Sequence, residues 1–193
     1  PEVLKTQFCA ILRAATAGCV RILLPMISTV SEVRKAKKIL KKSAEKLTRQ
    51  GFKVPDPLPP LGVMIEVPGA ALAADALAQH SDFFAIGSND LTMYTLAIDR
   101  GNEHVSHLFD TLHPGLLRLL QFTANAALHA RIPISLCGEM AGDPRYTALL
   151  LGLGIRELSM TPSNIPLVKQ RIRELDLAAA SHRVSVIMDQ VDA

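Results

Sequence analysis

Aromatic residues are scarce in this sequence, which has no tryptophan, two tyrosines and six phenylalanines. Aromatic side chains supply the stacking surface of single-stranded nucleic-acid sites, so their scarcity argues against that class of protein. The positive charge is concentrated in the segment SEVRKAKKILKKSAEKLTRQ, where apolar residues recur at helical spacing. Together with a net charge of only +3, this pattern favours the solvated face of a helix over a nucleic-acid patch.

Cysteine is also sparse, with three residues and no CxxC pair. A disulfide framework and a zinc site are therefore not expected, and a reducing cytoplasm fits this composition. No apolar run approaches the roughly 18 residues of a membrane span, and no signal peptide precedes the first apolar segment. Membrane insertion is not expected. The start at Pro1 rather than methionine indicates a fragment.

Five short runs rich in Val, Ile, Leu and Phe predict buried strands, at residues 20–26, 61–67, 82–87, 133–137 and 157–160. Their continuous rather than alternating hydrophobicity is typical of a parallel sheet that is covered on both faces. Helical patterns separate the strands, which is the signature of βα units. The sequence therefore predicts an α/β fold.

Neither a glycine-rich dinucleotide fingerprint nor a P-loop follows any of these strands. Their absence argues against a nucleotide-binding doubly wound sheet and leaves an α/β barrel as the leading architecture. A complete TIM-type (β/α)8 barrel needs about 250 residues. We therefore expect residues 1–193 to form the carboxyl-terminal part of such a barrel, about five βα units, with roughly three strands absent on the amino-terminal side.

Several helix boundaries are also readable. Thr29 and Glu32 have the spacing of a capping box, and Asp143 followed by a proline is a good helix start. Pro114 suits the start of a helix that runs to about Ala130. The connection between residues 87 and 114 is far longer than usual, and barrels keep their chemistry in such segments after a strand.

Polar residues follow three of the predicted strands. Glu66, the Asn89–Asp90 pair and Cys137 all stand at carboxyl ends, which meet on one rim of a barrel. Glu66 and Asp90 could jointly hold a hard cation, for which Mg²⁺ is the natural candidate. The alternative is that the two carboxylates cap helices or form salt bridges.

Arg100 and Cys137 each allow two interpretations. Arg100 lies within the long connection, where a guanidinium could clamp a carboxylate or phosphate, but a surface salt bridge with Asp99 or Glu103 would also explain it. Cys137 could be a small core residue. At a strand end it could instead exchange a proton with a carbon centre, whereas a nucleophilic role lacks an obvious histidine partner.

Three motifs carry a family resemblance: GVMIEVPGA, DFFAIGSNDLTMYTLAIDRGN and LCGEMAGD. In this order they resemble the phosphoenolpyruvate (PEP)-binding domain of enzyme I, the PEP–protein phosphotransferase family of the bacterial sugar phosphotransferase system, over about residues 20–175. The stretches TLAIDRGN and CGEMAGD distinguish it from pyruvate phosphate dikinase and PEP synthase of the same superfamily. Multiphosphoryl transfer proteins, which contain the same domain, remain an alternative.

The resemblance implies roles for the rim residues. Glu66 and Asp90 match the Mg²⁺ ligands, Asn89, Asp90 and Arg100 match groups that bind PEP, and Cys137 matches the acid that protonates the enolate carbon to give pyruvate. It further implies a cytoplasmic homodimer that serves sugar uptake. Met93, Ser88 and Val67 depart from residues usual in the family, namely glutamine, threonine and threonine, and this puts substrate affinity in question.

The resemblance also implies parts that this sequence lacks. In the family, a histidine on a separate amino-terminal domain accepts the phosphoryl group and passes it to a phosphocarrier protein, and further arginines come from earlier barrel strands. We therefore expect the 193-residue chain alone to be unable to complete phosphotransfer. A pyruvate-enolate lyase on the same kind of barrel and a non-catalytic dimerisation module are alternatives.

Overall fold

Strands and helices alternate along residues 2–190, the part of the chain that the computed structural model describes. Residues 1 and 191–193 of the predicted domain lie outside this range. Five strands are present, at the predicted places but shorter: β1 (Ile22–Leu24), β2 (Leu61–Ile65), β3 (Phe84–Gly87), β4 (Ile134–Cys137) and β5 (Glu157–Ser159).

In the described part of the chain, ten α-helices precede, connect or follow the strands. They are α1 (Glu2–Ala14), α2 (Val30–Arg49), α3 (Pro68–Leu72), α4 (Ala74–Ala78), α5 (Ser88–Leu96), α6 (Pro114–Ala130), α7 (Glu139–Gly142), α8 (Thr147–Gly152), α9 (Ile165–Glu174) and α10 (Leu177–Asp189). Two short 3₁₀ helices lie at Ser106–Leu108 and Pro162–Asn164.

The strands form one parallel sheet in the order β1-β2-β3-β4-β5. Strands that follow one another in sequence are therefore neighbours in space, and each parallel connection contains at least one helix. This unidirectional βα order is that of a barrel, whereas a doubly wound sheet reverses its strand order at a switch point. The prediction of a partial barrel is confirmed.

The two faces of the sheet differ. One face carries side chains that are buried in the hydrophobic core with the helices, among them Leu24, Val63, Ile65, Phe84, Ile86 and Leu136. The register places Met64, Ala85, Ser135 and Glu157 together on the opposite face, and none of these belongs to that core. The second face is the inside of the partial barrel, and within residues 2–190 it is covered only in part: Ala85 is buried there, whereas Glu157 is exposed.

Local sequence explains the start of α2. The Glu32 carboxylate accepts hydrogen bonds from the backbone N–H groups of Ser28 and Thr29, at 2.9 and 2.8 Å. This confirms the capping box, which satisfies backbone donors that the first helical turn leaves without partners. Val33, Leu40 and Leu47 then recur on the buried face of the helix, so its lysines and arginines lie on the outer side.

The segment after Asp143 is arranged differently from the prediction. Helix α8 begins at Thr147 rather than at Pro144, and α7 ends at Gly142. The Asp143 carboxylate accepts bonds from the backbone N–H of Arg145 at 2.9 Å and from its guanidinium. Asp143 thereby closes a local turn between two short helices, since an aspartate bonded two residues ahead stabilises a turn.

Candidate functional site at the carboxyl ends of the strands

The rim residues arise from three adjacent strands. Glu66 directly follows β2, Asn89 and Asp90 lie in the first turn of α5 directly after β3, and Cys137 is the last residue of β4. Because β2, β3 and β4 are parallel neighbours, their carboxyl ends lie side by side. The structure thus brings the predicted residues to one rim of the sheet.

Glu66 is the most buried of them, with 3% of its surface exposed. Its Oε1 accepts the backbone N–H of Met26 at 2.6 Å, which anchors it to the turn after β1. Gly87 makes room on the other side, because a Cβ atom there would lie 2.8 Å from Oε2 of Glu66. The position of this carboxylate is therefore fixed by the backbone of two neighbouring strand ends.

The surroundings of Glu66 disfavour its negative charge. Burial raises the pKa of Glu66 above its ordinary value, the Met26 N–H opposes this effect, and the negative charge of Asp90 adds to it. Glu66 and Asp90 are therefore two neighbouring carboxylates. Within residues 2–190, no arginine or lysine forms an ion pair with Glu66. Such an uncompensated pair fits a hard divalent cation.

Nothing in the described range offers a complete protein cage for a metal, since no three or more His, Cys, Asp or Glu side chains are grouped to hold one. A site with two carboxylates leaves most positions around a cation to water and substrate oxygens. Mg²⁺ commonly binds in this way, through one or two carboxylates together with substrate phosphates. The residues present therefore fit Mg²⁺ as an ion that is shared with a phosphorylated ligand.

Cys137 lies on the same rim and is half-buried. Its Sγ is 3.4 Å from the carbonyl oxygen of Ile86 on the adjacent strand. Burial raises the pKa of the Cys137 thiol, and the negative charges of Glu66 and Asp90 raise it further. The thiol is therefore protonated at neutral pH, which suits a proton donor and argues against a thiolate nucleophile.

The α5 side of the rim is bound to the segment after β4. The Ser88 hydroxyl donates to the Cys137 carbonyl oxygen at 2.8 Å, and Oδ1 of Asn89 accepts the backbone N–H of Glu139 at 3.2 Å. Because Oδ1 is occupied by an N–H donor, the side-chain NH₂ of Asn89 is the group left to interact with a ligand. Asn89 is thus oriented to donate a hydrogen bond.

Arg100 is the outlying member of the predicted set. Its Nη1 lies 2.9 Å from Oε1 of Glu139, so its ion-pair partner is neither Asp99 nor Glu103. Asp99 instead accepts the backbone N–H of Gly101 at 2.8 Å.

The long connection that contains Arg100 also includes helix α5 and the His113 side chain, which accepts the Gly115 N–H at the start of α6. His113 therefore has a structural role as the cap of α6.

Sequence reasoning missed several groups that shape this rim. The Met26 N–H holds Glu66, yet nothing in the sequence around Met26 indicates it. Gly87 had a detectable signal, because a glycine that ends a strand beside a polar turn often permits a close approach of neighbouring atoms. Glu139 lies in the motif CGEMAGD, but nothing in the sequence indicates its ion pair with Arg100.

Within residues 2–190, no helix is both long enough and apolar enough to cross a bilayer.

Comparisons with known proteins identify the family of the chain. The family model of the PEP-binding domain of PEP-utilising enzymes matches residues 1–177. The chain is 44% identical over 191 residues to the phosphoenolpyruvate-protein phosphotransferase of Cupriavidus necator, covering 99% of this chain and 32% of that protein. The protein of the same name from Haloferax volcanii is 43% identical over 182 residues, with 93% of this chain and 32% of that protein covered.

The chain spans about a third of the length of these relatives. Among solved structures, a citrate lyase from Burkholderia xenovorans superposes with a TM-score of 0.64 at 20% identity, covering 93% of this chain and 59% of that chain. This likeness supports the partial barrel as a fold. From the family match over most of its length, we conclude that the chain belongs to the PEP-utilising enzymes and comprises PEP-binding domain sequence.

Proposed function

We propose that this chain is the PEP-binding part of a PEP–protein phosphotransferase, which transfers the phosphoryl group of PEP to a histidine elsewhere in the protein and releases pyruvate. The observation that carries the proposal is the grouping of Glu66 and Asp90 with the protonated Cys137 thiol on one rim. The names of the relatives support the reaction type.

In this proposal, the rim binds the anionic substrate and orients it. Glu66 and Asp90 would hold Mg²⁺, and this ion would supply positive charge to neutralise phosphate and enolate oxygens. The Asn89 NH₂ group donates to an oxygen of PEP, and the Arg100 guanidinium binds a carboxylate or phosphate in a bidentate manner. These contacts fix the position of the enolate carbon relative to the rim.

Cys137 then completes the release of pyruvate. When the phosphoryl group leaves for the histidine, the remaining enolate takes a proton at its terminal carbon from the Cys137 thiol. The resulting thiolate regains a proton from solvent, so that atoms and charge balance. A raised pKa serves this role, because it keeps the proton on sulfur until the enolate forms.

Titration of the 193-residue chain with PEP, with and without Mg²⁺, tests the proposal by calorimetry. We expect Mg²⁺-dependent binding with a dissociation constant of about 1 mM or tighter. Glu66→Gln should abolish the Mg²⁺ dependence, while Glu103→Gln, which removes a charge outside the proposed site, should leave it intact. Failure of the wild-type chain to bind PEP at 10 mM, roughly tenfold above that constant, would overturn the proposal.

Turnover is a separate question. We propose that the chain alone does not complete phosphotransfer, because the motif resemblance implies a histidine acceptor on a separate amino-terminal domain. Steady Mg²⁺-dependent pyruvate release by the isolated chain, measured with a coupled dehydrogenase, would contradict this statement. We further propose a cytoplasmic homodimer that works with a phosphocarrier protein in sugar uptake, and this part is supported by the motif resemblance only.

A pyruvate-enolate lyase on the same barrel is the second candidate, because it would also use a glutamate and an aspartate at the carboxyl ends of the strands to hold Mg²⁺. In the complete protein, Cys137→Ala separates the two reactions. The phosphotransferase should still phosphorylate its histidine but should form pyruvate slowly. A lyase should show no phosphorylated histidine in either variant. An unaltered rate of pyruvate formation would remove Cys137 from the mechanism.

A further inference from the structure

Arg100, the residue proposed to bind a carboxylate or phosphate of the substrate, forms an ion pair within the protein. The Arg100 Nη1 atom lies 2.9 Å from Oε1 of Glu139, and the two residues are 39 positions apart in the chain. Arg100 belongs to the long connection after α5, whereas Glu139 begins α7 after β4. This ion pair therefore joins two separate rim segments rather than stabilising a single helix.

The backbone of Glu139 is held firmly in place. Gly138 has a φ of +103°, a conformation that glycine adopts readily and that brings this turn against α5. A Cβ at Gly138 would collide with the Ser88 hydroxyl and lie 3.0 Å from Oδ1 of Asn89. The Glu139 N–H also donates to that same Oδ1. The Glu139 carboxylate thus originates from a fixed point beside the proposed binding residue Asn89.

The side chains of the pair are far less constrained than this backbone. The exposed fraction is 43% for the Arg100 side chain and 75% for that of Glu139. Ion pairs at this level of exposure change an equilibrium by a factor of only about 1.4 to 5. A ligand can therefore displace the Glu139 carboxylate from Arg100. The ion pair must break before the Arg100 Nη1 group can bind a substrate anion.

The negative charge of Glu139 also weakens the binding of an anionic ligand. Glu66 and Asp90 already place two carboxylates on this rim, and Glu139 adds a third near the residue meant to attract an anion. A carboxylate at this point both occupies the guanidinium and repels a ligand that carries phosphate and carboxylate groups.

We propose that Glu139 competes with the anionic substrate for Arg100 and thereby sets the affinity of the site. This inference rests on the proposed PEP site. Glu139 is a positioning residue in this scheme, since it acts through Arg100 and need not touch the substrate. PEP binding exchanges the internal carboxylate for a carboxylate or phosphate of the ligand, and product release allows the internal pair to form again.

Calorimetric titration of the 193-residue chain with PEP and Mg²⁺ gives the first test. Glu139→Gln keeps the size and the backbone donor but loses the charge, and we expect it to lower the dissociation constant for PEP about twofold to fivefold. The matched control is Glu103→Gln, which removes the same charge from the connection that carries Arg100 and should change the constant by less than about 1.5-fold. Unchanged or weaker binding by Glu139→Gln would overturn the inference, as would an equal gain in the control.

Limited trypsin digestion gives a second test that needs no ligand. Trypsin must extract the Arg100 side chain to cut between Arg100 and Gly101, so Glu139→Gln should speed this cleavage about twofold or more. Cleavage at other lysines and arginines in the same digest is the internal reference. An unchanged cleavage ratio means that the pair does not restrain Arg100 and overturns the inference.

The two tests separate this inference from the proposed function. If PEP does not bind to any variant, the proposed function fails and, with it, the competition for Arg100. If PEP binds with equal affinity to the wild type and to Glu139→Gln, the proposed function stands and the competition is refuted.

Discussion

The guanidinium of Arg21 lies 3.3 Å from the carboxylate of Glu157, although Arg21 directly precedes β1 and Glu157 begins β5, the two opposite edges of the sheet. Adjacent strands lie about 4.8 Å apart, so the ends of a flat five-stranded sheet would be roughly 19 Å apart. Side chains meet across that width only if the sheet curves. The pair therefore spans the concave face and demonstrates barrel curvature within residues 2–190.

We predict that close packing, rather than this ion pair, maintains the curvature. Arg21 and Glu157 are each about half exposed, so Arg21→Ala should cost about 0.5 kcal/mol of unfolding free energy. A Cβ at Gly62 would lie 2.5 Å from the Phe83 ring, and Gly62→Ala should therefore cost about 1–3 kcal/mol. Urea unfolding measures both changes.

The control for this comparison is Gly18→Ala, because a Cβ at Gly18 meets nothing within 4 Å. That variant should unfold at nearly the wild-type urea concentration. A larger loss for Arg21→Ala than for Gly62→Ala would show that the ion pair dominates instead.

Glu66→Gln should stabilise the metal-free chain while destroying the proposed cation site. The folded-state pKa of Glu66 is raised by burial and by Asp90, so the ionised form opposes folding, and this penalty appears as the pH rises through the folded pKa. Glutamine keeps the acceptor for the Met26 N–H without the charge. In EDTA at pH 7, we expect a gain of about 1 kcal/mol in unfolding free energy.

Added Mg²⁺ and PEP should reverse this order, because only the wild type gains stability from binding them. If Glu66→Gln were less stable than the wild type in EDTA, another group would have to stabilise the Glu66 charge in the metal-free protein. That result would contradict the prediction. Thermal unfolding at pH 5 and pH 7 checks the sign, since the advantage of glutamine should shrink at the lower pH.

The cap of α2 should show the opposite pH dependence. Hydrogen bonds from the Ser28 and Thr29 backbone N–H groups hold the pKa of Glu32 below its ordinary value. Ionised Glu32 therefore stabilises the folded state at pH values above its unfolded pKa, and this contribution is lost as the pH falls through the folded pKa. At pH 7, Glu32→Gln should cost about 0.5 kcal/mol, and the difference should vanish in acid.

Glu45→Gln is the matched control, since it removes the same charge from the same helix away from the cap. Its effect on urea unfolding should be smaller at every pH. A pH-independent loss for Glu32→Gln would assign the effect to packing rather than to the ionised cap.

Gly138→Ala should disturb the rim more than its small size suggests. The alanine would have to adopt the positive φ of Gly138. Its Cβ would also collide with the Ser88 hydroxyl, which donates to the Cys137 carbonyl oxygen. We expect a loss of about 1–3 kcal/mol and weaker PEP binding. The urea midpoint and the calorimetric titration measure these effects, and Gly18→Ala again provides the control. Wild-type affinity in Gly138→Ala would mean that the turn before Glu139 does not position the site.

The sequence predicts well those features that depend on local chemistry. Thr29 and Glu32 have the capping-box spacing and form the box, and the strand runs fall on real strands because buried β-branched residues favour them. Cys137 stands at a strand end as expected. Asp143 misled the helix assignment, because a short side chain that can cap a helix can equally close a turn.

Long-range relationships were not predictable in this way. The partner of Arg100 lies 39 residues further along the chain, and the nearer acids Asp99 and Glu103 were the natural choices. The covering of the second face of the sheet depends on the strands that complete the barrel. The hydrophobicity of the five strands does not encode this. Positive φ at Met26, a residue that rarely adopts it, had no sequence signal.

The anchoring of Glu66 by the Met26 N–H has a consequence for how this site can vary. A backbone donor is present whatever side chain occupies position 26, so most substitutions there leave the bond chemically available. What can move the carboxylate is the path of the chain between β1 and α2. Insertions, deletions or a proline in that turn should change the cation affinity, whereas point changes at position 26 to residues that tolerate its positive φ should leave it unchanged.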